Sequence, residues 1–96
     1  MKKGDRVLVR THSAGVFVGE MVSRKGREVV LKNARRIWYW AGAATLSELA
    51  MRGTSQPSKC RFPMPAASIL LTEAIEIIPM TAVAVKSLDA VPVWTA

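Results

Sequence analysis

Apolar and polar positions alternate from the start of the chain. Over Arg6–Thr11, Val7 and Val9 point one way and Arg6, Leu8 and Arg10 the other, a period of two that predicts a strand. His12-Ser13-Ala14-Gly15 reads as a turn. Val16–Ser23 is β-branched and aromatic enough for a second strand, with Gly19 marking a bulge or bend. Arg24-Lys25-Gly26-Arg27 follows as a tight hairpin in which Gly26 supplies positive φ. Glu28–Lys32 begins a third strand, Asn33 interrupts it, and Ala34–Trp40 continues it. Together these segments predict an antiparallel, strongly bent meander.

The pattern then changes. Ala41-Gly42-Ala43-Ala44 ends the strand, and Thr45-Leu46-Ser47-Glu48 has the form of a capping box, a hydroxyl at the cap and a carboxylate three residues on. Leu46, Leu49 and Ala50 share a helical face and Gly53 fits the stop, which predicts a helix of about two turns that needs docking to persist. Pro57, Pro63 and Pro65 make residues 54–65 a loop. Ala67–Ile78 is the most apolar run; its β-branched content predicts a strand split near Thr72 or Glu73 and stopped by Pro79. Thr81–Lys86 and Ala90–Trp94 predict two shorter strands around a turn at Leu88-Asp89. Exposed valines there would serve edge pairing, including with another subunit.

Composition narrows the class. A chain of 96 residues, half of them hydrophobic, fits one domain over 1–96, mainly β with some α (α+β), carrying a helical and loop insertion over about 41–66. No apolar run reaches the roughly 18 residues of a membrane-spanning helix. Lys2, Lys3, Gly4, Asp5 and Arg6 stand where a signal peptide would need an apolar stretch, so the expectation is a cytoplasmic protein without membrane contact. Cys60 is the only cysteine, which removes an internal disulfide and a cysteine-rich zinc site. The net charge of +7 is uneven: residues 1–40 hold ten cations against three carboxylates, residues 41–96 four against four. Such asymmetry fits an anionic partner or a solvated hairpin.

The candidate chemistry is binding. There is one histidine, no glycine-rich phosphate loop and no metal-ligand cluster, and Glu73 and Glu76 lie three apart in a predicted strand, pointing to opposite faces. The expectation is therefore no enzyme, no catalytic residue, no cofactor and no metal. Ala34–Trp40, A-R-R-I-W-Y-W, sets two arginines before an aromatic triplet. In a strand Arg36, Trp38 and Trp40 would share one face and Arg35, Ile37 and Tyr39 the other; one face can enter a core while the other carries cationic and aromatic groups together. Arginine suits phosphate and a ring suits a base, so Arg35, Arg36, Trp38, Tyr39 and Trp40 are candidate ligand contacts, although aromatics in strands also serve simply as core. Thr45 and Ser47 add hydroxyls at a helix N-terminus. Arg24, Lys25 and Arg27 form a secondary basic patch.

Two resemblances extend this reading. Three strands followed by I-L-L-T-E-A-I-E-I-I-P resemble the Sm/Hfq-like small β-barrels over roughly residues 5–79. The resemblance implies a small bent antiparallel barrel of Sm-like type, here with one short inserted helix, that assembles into closed homo-oligomers and binds RNA. The chain departs from that pattern in its insertion and in having Thr72-Glu73 where the family carries a Lys-His pair, which bears on the family's central RNA site. K-N-A-R-R-I-W-Y-W-A-G-A with T-L-S-E-L-A behind it is similar to a family of small uncharacterised tailed-phage proteins. That implies expression in a host cytoplasm and action by occupying a target. The combined expectation is an oligomeric, non-enzymatic binder of anionic nucleotide ligands that sequesters a nucleotide messenger of host immunity. RNA or DNA binding, and inhibition of a host enzyme through Trp38, Trp40 or Trp94, stand beside it.

Overall fold

The computed structural model describes residues 2–95. Five strands form one antiparallel sheet: β1 (Arg6–Thr11), β2 (Val16–Lys25), β3 (Glu28–Arg36), β4 (Ala66–Leu71) and β5 (Ala74–Pro79), in the order β4-β3-β2-β1-β5. Two helices, α1 (Leu46–Arg52) and α2 (Ala82–Asp89), complete the fold.

The connection between β4 and β5 fixes the curvature. These strands occupy opposite edges, yet only Thr72 and Glu73 separate them. Three Cα steps of ~3.8 Å reach at most about 11 Å. Five strands laid flat at ~4.8 Å spacing would hold their edges about 19 Å apart. The sheet must therefore curl until its two edges meet at this corner. Backbone bonds lash the corner down: Ala74 N–H donates to Arg27 O (3.0 Å) and His12 N–H to Glu73 O (2.9 Å). The ladder stays open, with no pairing between β4 and β5.

Both sheet faces are buried, against different material. Val7, Val9, Phe17, Met21, Val29, Leu31, Ala34, Leu71 and Ala74 fill the sheet's own curl. Leu8, Val18 and Ile37 face outward onto Leu49 and Ala50 of α1, Leu88 of α2, and Cys60, Phe62 and Val91. That double burial explains Val7-Leu8-Val9 and Phe17-Val18-Gly19, each a run of three successive buried residues. The bulge expected at Gly19 lies opposite Asn33, which takes positive φ (51°). A Cβ at Gly19 would stand 3.2 Å from Lys32 O, so glycine is what lets β2 approach β3 here.

The C-terminal segment corrects the expectation. Thr81–Lys86 lies not in a strand but in α2, and Leu88-Asp89 is its last turn. Alternating Val83 and Val85 suggested a strand, but Ala84 and Leu88, four apart, are the buried pair. Thr81 is the N-cap: its Oγ1 accepts from Ala84 N–H (3.1 Å) and its hydroxyl donates to Met51 O (2.6 Å), joining the end of α1 to the start of α2. Ala90–Trp94 makes one isolated parallel bridge, Val93 with Phe62. The fold thus holds two helices where one inserted helix was expected.

Two contacts secure the helical layer. Gly53 ends α1 with φ 77°, and a Cβ there would strike the Ser87 side chain of α2. Arg6 makes a two-pronged ion pair with Asp89 (2.6 and 3.0 Å), joining β1 to the end of α2. Hydrogen bonding from Arg6 holds the Asp89 carboxyl below its ordinary value.

Gly53→Ala combines a strained backbone with an overlap and is expected to cost about 2–4 kcal/mol, read as a lower urea midpoint. Because the folded Asp89 titrates below the unfolded one, its contribution is complete above about pH 4 and is lost as pH falls through the lower folded value. Asp89→Asn should flatten that limb of an acid-unfolding curve. At neutral pH it should cost no more than about 1 kcal/mol, since both partners are partly exposed.

Candidate functional site

The arginine–aromatic stretch does not stay in the strand. β3 ends at Arg36, and Ile37 turns inward with its N–H on Val16 O (2.8 Å). The next two amides, Trp38 and Tyr39, both donate to Arg61 O (3.1 and 3.2 Å). Successive amides of a regular strand point to opposite sides, so this convergence marks a break, and the alternate-face pairing of Arg36 with Trp38 and Trp40 is lost.

Each expected contact residue therefore lands separately. Trp38 and Tyr39 are exposed (63% and 53%), while Trp40 lies half-buried in the outer core with its indole N–H on Ala43 O (3.3 Å). Arg36 lies over the Phe17 ring (4.7 Å) at a shallow groove edged by Pro63, Met64 and Ile69. Thr45 caps α1, accepting from Glu48 N–H (3.1 Å), and the Glu48 carboxylate returns to Ala44 N–H (2.7 Å). That carboxylate already meets the positive end of the helix, so this end is supplied with an anion from the chain itself. Ser47 is exposed on the first turn. Arg24, Lys25 and Arg27 are exposed at the β2–β3 tip, at the end of β3 remote from the aromatics.

Arg35 is engaged internally. Nη1 donates to Val91 O (3.0 Å) and Leu88 O (3.3 Å), and Nη2 to Phe62 O (3.2 Å) and Pro92 O (3.5 Å). The guanidinium also lies over the Phe62 ring (5.2 Å). It thereby gathers the end of α2, the strand-like segment at Phe62 and the C-terminal segment onto β3. Its pKa is lowered because burial penalises the charge, and its Nε is buried without a partner.

What this clasp positions is an open surface groove. Arg61 pairs with Tyr39 through reciprocal backbone bonds, and Trp94 N–H donates to Phe62 O (2.9 Å). The Arg61 guanidinium consequently stands between two rings, 5.9 Å from Tyr39 and 5.6 Å from Trp94. Ser58, Lys59 and Cys60 complete an open groove of about 520 Å³. Lys59 and Arg61 make no ion pair among the described residues. Sequence reading passed over these two, because they sit in a proline-bounded loop in the charge-balanced part of the chain. The only local signal was a pair of cations flanking Cys60. Among the described residues no cluster of three metal-ligating side chains occurs, and no helix is long and apolar enough to cross a membrane.

Lysine cannot reproduce a planar guanidinium serving four carbonyls. Arg35→Lys is therefore expected to destabilise the fold by about 1.5–3 kcal/mol, measured by denaturant titration, and to loosen the Trp94 segment, seen as changed tryptophan fluorescence before global unfolding.

No curated protein and no solved structure matches the chain. Residues 4–88 match the family model described as a domain of unknown function, DUF6948; the match spans all five strands, both Tyr39 and Arg61, and stops short of Trp94. With that share of its length matched, the chain belongs to the DUF6948 family.

Proposed function

We propose that the protein is a non-enzymatic binder of anionic nucleotide ligands, held at the Tyr39–Arg61–Trp94 platform. The observation that carries this reading is a guanidinium set between two rings on an open surface. A base stacks on the phenol or indole face, and Arg61 with Lys59 meets phosphate oxygens. Exposed Trp38, next in the chain to Tyr39, offers a further ring for a second base. Arg35 acts as a positioning residue for this platform, and Arg36 remains available as an outlying cation.

The same proposal includes a bent barrel of Sm-like type whose β4 and β5 edges stay unpaired within one copy and pair with neighbouring copies in a homo-oligomer. Its support is the curl at Thr72-Glu73 and the exposed Leu70 and Ile75 beside that corner. A phage-encoded protein of this kind would act by sequestering its ligand, a nucleotide immune messenger among the candidates.

Calorimetric titration with mononucleotides, cyclic dinucleotides and ADP-ribose tests the platform. Binding is expected, and Trp94→Ala should weaken it by the equivalent of about 1–3 kcal/mol. Arg61→Ala should do at least as much, since it removes both the phosphate donor and the spacer between the rings. Absence of heat with every nucleotide, for a protein that is folded by circular dichroism, overturns the reading.

A further inference from the structure

The basic tip of the β2–β3 hairpin has no part in the platform. Arg24, Lys25 and Arg27 are exposed, and among the described residues their side chains make no ion pair and no hydrogen bond. Lys2 and Lys3 join them: Gly4 N–H donates to Met21 O (2.7 Å), which brings the start of the chain alongside β2, and Lys3 shares a shallow groove with Arg24, Met21 and Ser23. Nearby carboxylates do not neutralise the group. Glu76, which borders a second groove with Arg24, is bonded to Arg10 (3.3 Å). Asp5 accepts from the Lys2 backbone N–H (2.9 Å), and Glu28 stands opposite Lys25 across the turn. Five cations thus gather against three carboxylates, Asp5, Glu28 and Glu73, the last one residue from Ala74, whose N–H bonds Arg27 O.

β3 relates this cluster to the platform. The hairpin tip lies just before Glu28, and the chain reaches Tyr39 three residues after Arg36. Eight Cα steps of about 3.3 Å put the two ends of β3 at most roughly 26 Å apart, against a longest dimension of the molecule of 34 Å. A free nucleotide can occupy one end only. A single-stranded nucleic acid can meet both, with bases at the rings and phosphates along the cations, within the roughly 4–16 nucleotide footprint usual for small β domains.

We propose that the ligand class is single-stranded nucleic acid, and that Lys3, Arg24, Lys25 and Arg27 form a phosphate-tracking surface separate from the base-stacking platform. The inference rests on the platform reading for its second anchor. Charge favours a phosphodiester chain over an acidic protein, because the exposed cations are spread over the N-terminal segment, the end of β2 and the turn.

The test is fluorescence anisotropy with labelled poly-uridine and poly-deoxythymidine oligomers across that length range, a mononucleotide, and a duplex of the same length. The variant Arg24→Ala/Lys25→Ala/Arg27→Ala alters exposed positions only. Affinity should rise with length up to the span of β3, and the duplex, whose bases are inaccessible, should compete poorly. The triple variant should lose at least about tenfold for long strands, and its log–log salt slope should fall by about 2, the release expected from three phosphates on a single strand. Its mononucleotide affinity should stay unchanged. Comparing the two sugars distinguishes RNA from DNA as the preferred source. If Trp94→Ala weakens mononucleotide and strand alike while the triple variant binds strands normally, the tracking surface is overturned and the platform stands. If the triple variant weakens strands but Trp94→Ala has no effect on any ligand, the platform falls and with it the two-anchor proposal. A folded protein that binds neither overturns both.

Discussion

The guanidinium of Arg35 is the contact on which the rest of this small structure depends. It belongs to the penultimate residue of β3 and collects carbonyls from the end of α2, from Phe62 and from the C-terminal segment. Those three pieces have little regular structure to hold them to one another. Carbonyls at a helix end carry partial negative charge, and a half-buried cation answers several at once. The arrangement is costly to the arginine, whose charge is penalised by burial and whose Nε lacks a partner. It also makes the site possible, because Phe62 is next to Arg61 in the chain and Pro92 stands two residues before Trp94. Asp89 extends the same network to Arg6 and so to β1.

A sheet of five short strands has too little inner volume to hold a large core. This one solves the problem by burying both faces. The curl enforced at Thr72-Glu73 closes apolar side chains into one cluster, and the helices with the 57–62 segment cover the other. Loops in small domains are usually peripheral, but here Cys60 and Phe62 are as buried as strand residues. The exposed residues of the same segment, Lys59 and Arg61, are thereby held on a rigid base. This is how a proline-bounded loop presents a cation at a defined place between two rings.

The division of labour among the basic residues follows from the geometry. Arg6 and Arg35 serve the fold, Arg36 lies on Phe17, and Arg61 and Lys59 remain free for solvent or ligand. The hairpin cations stand at the other end of β3 without engaged partners. Exposed cations thus stand at both ends of β3, and Lys32, Arg52 and Lys86 are exposed elsewhere.

Much of this was determined by residue order alone. The period of two in Arg6–Thr11, the Gly26 turn, the Gly19 and Asn33 bulge, the capping box at Thr45–Glu48, the Gly53 stop and the split at Thr72-Glu73 are local, and the physics of each operates over a few residues. The second helix was not legible, because Val83 and Val85 favour a strand by propensity and only the packing of Ala84 and Leu88 on the outer core outweighs it. The site was half legible. Trp38 and Tyr39, expected on opposite faces of a strand, are both exposed because the strand breaks after Arg36, and the capture of Arg35 depends on Phe62 and on residues 88–92. Arg61 and Trp94 reach Tyr39 through an isolated bridge and a single carbonyl, contacts that carry no periodic trace in sequence. Tertiary structure decided how each guanidinium is used, since Arg35 is taken up by carbonyls, Arg6 and Arg10 by carboxylates, and Arg61 is left exposed beside two rings.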